Sequence, residues 1–212
     1  MIDLKYKPEK NDVAYFMRRL YDRFLTTASG GNISFKVSEH NVLITPAALD
    51  KGIISAEQIA VVSMGGKNLT QKFKPSIETS MHLEIYNKRN DVLAVVHAHP
   101  VYASLFTTIS RKVNTHLIAE ARYMLGEPAV AEYALMGTNE LALVVAEASL
   151  KSNVILLKNH GVLAVGKTLL EAFDRMEVLE NCAKMTFLTE LLQEKQEMTP
   201  EQIAVIDAMR KF

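Results

Sequence analysis

Two histidines stand one residue apart at the end of the apolar stretch DVLAVVHAHP, residues 91–100. Because side chains alternate between the two faces of a β-strand, His97 and His99 would project from the same face with their rings close together. A third histidine, His160, lies in an Asn-His-Gly turn, and turns lie at the surface or border a site rather than filling a core. Three imidazoles suit zinc, or a divalent transition metal of similar preference, far better than calcium or magnesium.

A carboxylate, Glu78, is the strongest candidate for a fourth ligand, in the first turn of a helix that we expect to begin near Ser76. Ordinary explanations stay open, because an acid near a helix N-terminus is favoured by the helix dipole and a His-x-His pair often makes ordinary hydrogen bonds. His40 and His116 lie in polar loop sequences and are predicted to be surface residues. His82, one helical turn after Glu78, either orients that carboxylate or packs in the core or at the surface.

The elements that must position these side chains alternate in type along the chain. Apolar residues at helical spacing predict an amphipathic first helix over residues 11–26. Runs of β-branched residues at 33–37, 41–45 and 59–63 predict an antiparallel meander. A capping-box pattern over residues 55–58 predicts a single helical turn between the last two strands.

Strand and helix patterns continue to the C-terminal region and complete the predicted fold. The remaining elements are the helix from Ser76, a buried strand at 91–99, a helical region ending near Gly126, a short strand at 129–133, a helix capped by Thr138, a hairpin of NVILLK and VLAVG with His160 at its tip, a long helix from a Thr168 and Glu171 capping box to about Glu197, and a short helix capped by Thr199. We therefore predict an α/β fold with three α/β/α layers, a mostly antiparallel central sheet and one domain over residues 1–212.

Composition and charge exclude broad classes of partner. The 24 Lys and Arg side chains balance the 24 Asp and Glu side chains, so no overall field attracts nucleic acid or an anionic membrane. The N-terminal sequence lacks the apolar core of a secretory signal, and no apolar stretch approaches the roughly 20 residues that span a bilayer. We therefore expect a cytoplasmic protein without nucleic-acid or membrane partners. The single cysteine, Cys182, is predicted to be a buried, inert thiol in a helix.

Four motifs occur together in one order: Gly30-Gly31-Asn32-Ile33-Ser34, Glu78 in a Pro-Ser-x-Glu stretch, His97-x-His99, and Asn159-His160-Gly161. With these motifs the chain resembles the class II aldolase/adducin family and looks most like its fuculose-phosphate aldolase branch, from about Val13 to about Glu197. The resemblance implies a zinc lyase on an α/β/α scaffold, commonly a fourfold-symmetric homotetramer with its active site near a subunit boundary. One Zn²⁺ per subunit is expected, with Mn²⁺ or Co²⁺ as alternatives.

The resemblance also implies roles for individual residues. His97, His99 and His160 match the zinc-binding histidines, and Glu78 matches the carboxylate that both ligates the metal and moves protons as the catalytic residue. The implied reaction cleaves a ketose 1-phosphate, such as L-fuculose 1-phosphate, to dihydroxyacetone phosphate and an aldehyde. In it, zinc acts as a Lewis acid and stabilises the enediolate left when the carbon–carbon bond breaks.

Substrate binding is assigned by the same resemblance to Gly31, Asn32 and Ser76, at the end of the site that takes the phosphate. These residues offer backbone N–H, amide and hydroxyl donors, which suit an anion near a helix start. Ordinary roles stay open for two of them, because Asn32 also suits a turn and Ser76 also suits a helix N-cap. The sequence thus leaves their function undecided.

The phosphate end departs from the family pattern at three positions. Ala47 and Ala48 stand where the family has a Thr-Gly pair, and Ile77 replaces a second serine. Each lost bond to a charged group would weaken binding by about 1.5 to 3 kcal/mol unless Lys36, Lys51 or water replaces it. The sequence therefore leaves it open whether the substrate is phosphorylated.

Three functions stay open at this point. The first is aldol cleavage, although the branch uses two tyrosines as acids and only Ile118, Glu120 and Tyr123 fall near the counterpart of the first. The second keeps the metal site but ends in epimerisation, dehydration or decarboxylation of a related sugar phosphate. The third is a non-catalytic scaffold of the adducin type, which would have no physical need for three histidines and Glu78.

Overall fold

Seven strands form one sheet at the centre of the part of the chain that the computed structural model describes, residues 5–70 and 72–210. The strands are β1 (Asn32–Lys36), β2 (Asn41–Ile44), β3 (Ala60–Ser63), β4 (Ala94–Ala98), β5 (Ala129–Ala131), β6 (Val154–Leu157) and β7 (Gly161–Gly166). Their order across the sheet is β3-β2-β1-β4-β7-β6-β5, and only β5 and β6 pair in parallel. The predicted meander and the mostly antiparallel sheet are confirmed.

Helices cover both faces of this sheet. They are α1 (Lys7–Asp22), α2 (Thr79–Lys88), α3 (Val101–Leu105), α4 (Ala119–Leu125), α5 (Asn139–Ser149), α6 (Leu169–Leu192) and α7 (Pro200–Met209), with a 3-10 helix over Ala56–Gln58. In β4, Val96 and Ala98 pack with α1 and α6, whereas Val95 packs with α2 and α5 on the other face. The three-layer α/β/α prediction is confirmed. A single domain over residues 1–212 stays a prediction, and residues 1–4, 71 and 211–212 lie outside the described part.

The boundaries of α1 differ from the predicted range of 11–26. The helix begins earlier because Pro8 lies in its first turn, where a missing N–H costs nothing and the fixed φ suits a helix. It ends at Asp22 because Phe24 adopts a left-handed φ of 58°, which a right-handed helix cannot continue.

Two later boundaries also differ. The long helix α6 ends before the predicted Glu197 because Gln193 has a φ of 55°. Helix α2 begins at Thr79 rather than near Ser76, because a turn closed by the bond from the Thr79 N–H to the Ser76 carbonyl precedes it. Glu78 is therefore the N-cap residue of α2 and does not lie inside its first turn.

Most predicted helix caps are present. The side chains of Thr138 and Thr168 each accept a bond from a backbone N–H of the first turn, and Thr199 forms a complete capping box. At α6 the predicted capping box is only half formed, since Glu171 accepts from the backbone N–H of Lys167 instead of from that of the N-cap residue. Local sequence therefore sets where these helices begin.

Cys182 lies in α6 and is buried in the core, and burial raises the pKa of its thiol to about 12, as expected of an inert thiol. Within residues 5–70 and 72–210, none of the helices combines the length and the hydrophobicity that crossing a bilayer requires.

Candidate metal centre

Three histidine side chains converge at one end of β4. His97 lies in β4 and is fully buried, His99 follows the end of that strand, and His160 lies in the turn between β6 and β7. Because β7 pairs with β4, this turn lies beside the end of β4. The ring centroid of His97 lies 4.8 Å from that of His99 and 4.9 Å from that of His160. One nitrogen from each of the three rings lies within 4.8 Å of the other two. The structure thus brings together the three imidazoles that the sequence singled out.

The tight turn that carries His160 depends on its two neighbours. Asn159 adopts a left-handed φ of 53°, which asparagine tolerates better than most residues. Gly161 leaves room for β4, since a Cβ at this position would overlap the His99 ring and lie only 2.7 Å from the backbone oxygen of Ala98. The sequence Asn-His-Gly is therefore what allows the turn to approach β4 closely enough for the rings to meet.

Glu78 reaches the histidines from the N-cap of α2. Its Oε1 lies 3.1 Å from His160 Nε2, and its Oε2 lies 3.4 Å from His97 Nε2. The Asn32 amide nitrogen donates a 2.7 Å hydrogen bond to Oε2, and the Glu78 residue is only 6% exposed. The compact cluster of ligand atoms consists of the three imidazoles, and the carboxylate contacts two of them.

Three buried polar atoms of this cluster have no hydrogen-bond partner among the described residues: His97 Nε2, His160 Nδ1 and Glu78 Oε1. His97 Nδ1 lies 3.0 Å from the carbonyl oxygen of Val162, which can only accept, so Nδ1 carries the hydrogen and Nε2 keeps its lone pair. Buried polar atoms without partners are costly, and an imidazole held by a backbone carbonyl on its far side is a common arrangement in metal sites. The donor set fits a zinc-like cation.

The protonation states suit the same conclusion. Burial, reinforced by the neighbouring imidazoles, lowers the pKa of His99 to about 4, and burial also lowers the pKa of His97. Burial alone would raise the pKa of Glu78, but its contacts with His97, His160 and Asn32 outweigh burial and hold that pKa below its ordinary value. Neutral imidazoles beside an ionised carboxylate are what a divalent cation requires.

The three residues assigned to substrate binding all border Glu78 or His97. Gly31 has a φ of 64°, and a Cβ there would lie 2.8 Å from the backbone oxygen of His97. Asn32 is buried and bonded to Glu78, and Ser76 Oγ accepts a 3.3 Å bond from the backbone N–H of Glu78. Their binding of substrate stays a prediction.

The altered phosphate end has a distinct local structure. Ala48 adopts a left-handed φ of 55° at the position where the family pattern has glycine, and Ala47 donates a backbone bond to Lys74. Ile77 is 52% exposed, while Lys51 is buried with its Nζ donating to the Pro46 carbonyl. The Lys51 amine is therefore engaged by backbone in this conformation rather than presented as a free donor.

From the sequence, Ser34 is named only as part of a motif and Tyr86 is not singled out, so neither was given a role, and the role of His82 stayed undecided. His82 is fully buried and hydrogen-bonded to Asn32 and Ser34, so it neither packs in an apolar core nor lies at the surface. The sequence does carry a signal for His82 and Tyr86, because positions 78, 82 and 86 recur every fourth residue and therefore share one helix face. As predicted, His40 is exposed, whereas His116 is half-buried.

The chain is similar to known proteins of one family. Residues 11–187 match the family described as Class II Aldolase and Adducin N-terminal domain. The chain is 40% identical over 169 residues to the L-fuculose phosphate aldolase of Methanococcus vannielii, covering 80% of this chain and 90% of the relative. It is 33% identical over 174 residues to the 3-oxo-tetronate 4-phosphate decarboxylase of Haemophilus influenzae, covering 80% and 82%. A solved structure of an L-fuculose 1-phosphate aldolase superposes with a TM-score of 0.86 at 32% identity, covering 96% of both chains.

Proposed function

Because the chain belongs to the class II aldolase and adducin family, as a fuculose-phosphate aldolase-like lyase, we propose that it cleaves a ketose 1-phosphate such as L-fuculose 1-phosphate. The products are dihydroxyacetone phosphate and an aldehyde. The observation that carries the proposal is the meeting of three imidazoles beside one carboxylate, with His97 Nε2 and His160 Nδ1 buried and without a hydrogen-bond partner among the described residues. A non-catalytic scaffold would gain nothing from leaving these buried atoms unpaired.

We propose that Zn²⁺, one ion per subunit, is held by His97, His99 and His160. Mn²⁺ and Co²⁺ accept overlapping ligand sets and are the alternatives to test. When bound, the cation supplies Lewis-acid charge opposite the negative oxygen that develops on the substrate. The Val162 carbonyl bonded to His97 holds that ring in the tautomer that can ligate.

Glu78 is proposed to take and return the proton of the reaction. Its two oxygens have different surroundings, which supports this role. Oε2 is anchored by the Asn32 amide, whereas Oε1 has no well-aligned hydrogen-bond donor among the described residues and lies 3.1 Å from His160 Nε2. One oxygen therefore fixes the side chain while the other is free to exchange a proton with a bound substrate. No residue of this chain is assigned as the acid that protonates the leaving group, and Glu120 and Tyr123 are exposed.

A second function uses the same site for decarboxylation of a sugar-acid phosphate. The relative in Haemophilus influenzae that favours it is named a decarboxylase at 33% identity, and the replaced donors at Ala47, Ala48 and Ile77 alter the end of the site that recognises the substrate. Epimerisation or dehydration of a related sugar phosphate requires the same residues.

The assembly and location are proposed from the family resemblance. The proposed assembly is a homotetramer with the site near a subunit boundary. The proposed location is the cytoplasm, where sugar phosphate substrates occur. Size-exclusion chromatography with light scattering tests the subunit number, with a tetramer as the expected result and a monomer as the contradicting one.

A panel of ketose 1-phosphates and sugar-acid phosphates, incubated with the zinc-loaded protein, tests the reaction. Release of dihydroxyacetone phosphate from a ketose phosphate supports the aldolase, whereas release of carbon dioxide without it supports the decarboxylase. His160→Ala is the matched inactive variant, and His40→Ala, which alters an exposed histidine, is the control. Turnover that is equal in both variants would overturn the proposed site.

A further inference from the structure

A line of hydrogen bonds runs from the Glu78 carboxylate into the protein, away from the three histidines. Asn32 Nδ2 donates to Glu78 Oε2 at 2.7 Å, and Asn32 Oδ1 lies 2.5 Å from His82 Nε2. His82 Nδ1 lies 2.7 Å from Ser34 Oγ, and Ser34 Oγ lies 2.7 Å from the Tyr86 hydroxyl. Four polar side chains are thus joined in series behind the proposed proton carrier.

These four side chains are buried, with His82 and Ser34 fully enclosed and Asn32 and Tyr86 nearly so. Bulk water therefore does not reach them, and each polar atom needs a partner from the protein. In such surroundings a fully connected network fixes one arrangement, whereas a broken one is costly. Each link in this series of hydrogen bonds therefore needs one donor and one acceptor.

For a neutral His82, only one assignment of hydrogens satisfies every link up to the carboxylate. An ionised carboxylate only accepts, so the Asn32 NH₂ group faces Glu78 and its carbonyl oxygen faces His82. His82 must then carry its hydrogen on Nε2, which leaves Nδ1 to accept from the Ser34 hydroxyl. Having donated its hydrogen, Ser34 Oγ accepts from Tyr86, whose other acceptor, the Leu93 carbonyl, is more distant at 3.3 Å.

The reverse order fails at one link. If His82 carried its hydrogen on Nδ1, its Nε2 would accept, and the Asn32 amide would have to turn its NH₂ group toward the ring. The Asn32 carbonyl oxygen would then face Glu78 Oε2 at 2.7 Å, with two acceptors and no hydrogen between them. Glu78 would lose its anchor.

We propose that His82, as a neutral ring with its hydrogen on Nε2, is a positioning residue that orients the Asn32 amide and thereby holds Glu78. Ser34 and Tyr86 fix the His82 tautomer from behind. The inference rests on the proposed role of Glu78 in proton transfer, because the anchored Oε2 is what leaves Oε1 directed at the histidines. Burial lowers the pKa of His82 to about 3, which favours the neutral ring.

The tautomer can be measured without any substrate. The zinc-loaded full chain, labelled with ¹⁵N at its six histidines, is studied by long-range ¹H–¹⁵N correlation, with His82→Gln used to assign the signal. We expect His82 to be neutral with hydrogen on Nε2 from about pH 5.5 to 8. Hydrogen on Nδ1, or a cationic ring in this range, would overturn the inference and leave the aldolase proposal standing.

Substitutions in this hydrogen-bond series test its effect on turnover. Ser34→Ala removes the donor to His82 Nδ1, and Ser149→Ala is the matched control, because Ser149 is an equally buried serine whose hydroxyl donates to the Ala146 carbonyl within α5. We expect kcat to fall about 10- to 100-fold in Ser34→Ala, with KM and zinc content close to those of the control. Equal kcat values in the two variants would contradict the proposal.

His82 itself is tested by rescue. His82→Phe removes both links, whereas His82→Gln keeps an amide donor able to face the Asn32 carbonyl. We expect the glutamine variant to recover at least several-fold of the kcat lost in the phenylalanine variant, at equal zinc content. If neither His82 variant folds, Tyr86→Phe, which removes a single hydroxyl, is used instead. We expect its kcat to be lower than that of the wild type, and an unchanged kcat would contradict the proposal. If no substrate is turned over, the ¹⁵N result still decides the inference.

Discussion

The Asn32 amide donates a 2.7 Å hydrogen bond to Glu78 Oε2, which joins the first residue of β1 to the N-cap residue of α2. The two residues are 46 positions apart in the sequence. This bond is made on one side of the carboxylate, and the other oxygen lies 3.1 Å from His160 Nε2. The side chain is thereby held between the sheet and the histidine cluster.

Asn32→Asp replaces this donor by a second carboxylate. Losing a bond to a charged group costs about 1.5 to 3 kcal/mol, so we expect kcat to fall about 10- to 150-fold while the three imidazoles keep the metal. Steady-state kinetics and elemental analysis measure both quantities. Asn41→Asp, which removes an amide bond to Tyr6, is the control. A rise in KM with kcat unchanged would instead favour the substrate-binding role inferred from the resemblance.

Glu78→Gln keeps the shape of the side chain but removes its capacity to carry a proton. Proton transfer by a positioned group contributes about 10²- to 10⁴-fold to rate, and we expect a loss of kcat in that range with most of the zinc retained. Turnover and zinc content of the purified variant check this. Glu84→Gln changes a carboxylate on the same helix that does not face the histidines and should be near normal. Wild-type turnover in Glu78→Gln would refute its proposed role.

Gly161→Ala tests the close approach of the His160 turn to β4. The added Cβ would overlap the His99 ring and crowd the Ala98 carbonyl, so we expect a loss of about 1 to 3 kcal/mol in the free energy of unfolding and weaker zinc binding. Gly65→Ala is the matched control, since the nearest atom to its Cβ would be 3.8 Å away. Urea unfolding and zinc titration compare the two. Equal free energies of unfolding and equal zinc affinities in the two variants would show that the turn can accommodate a Cβ at position 161.

Lys51 gives a pH dependence whose sign follows from its burial. Burial lowers the pKa of its amine from 10.5 to about 8 in the folded protein, so between these values the unfolded chain binds more protons. The free energy of unfolding therefore rises with pH from about 8 to 10.5, by up to about 1.4 kcal/mol per pH unit. Below about pH 8 the destabilisation caused by burying the charged Lys51 amine is fully present. Urea unfolding at pH 7.5 and 9.5 should show wild type gaining stability relative to Lys51→Met. A constant difference between the two proteins would contradict the assignment.

The sequence predicted the histidine cluster because its members follow local rules. The alternation of side chains in a strand placed His97 and His99 on one side, and the Asn-His-Gly turn placed His160 at the tip of a hairpin. Strand pairing then brings the turn beside the end of β4. The mostly antiparallel sheet followed in the same way from runs of β-branched residues and turn signals.

The parts that escaped prediction depend on contacts between distant residues or on unusual backbone angles. The bond between His82 and Asn32 joins positions 50 apart, and no local pattern shows that Ser34 lies behind the ring. The end of α1 was misplaced because nothing in its sequence requires the left-handed φ of Phe24. Tertiary contacts determine the first feature, whereas the second belongs to a local turn in which the backbone N–H groups of Phe24 and Leu25 donate to the carbonyls of Tyr21 and Leu20.

The central claim is that His97, His99 and His160 bind a single divalent cation. Anomalous diffraction at the zinc absorption edge, from crystals of the zinc-loaded protein, measures this directly. We predict one strong peak per subunit at about 2.0 to 2.1 Å from a nitrogen of each imidazole. A peak bound elsewhere, or no peak within bonding distance of these three rings, would contradict the account.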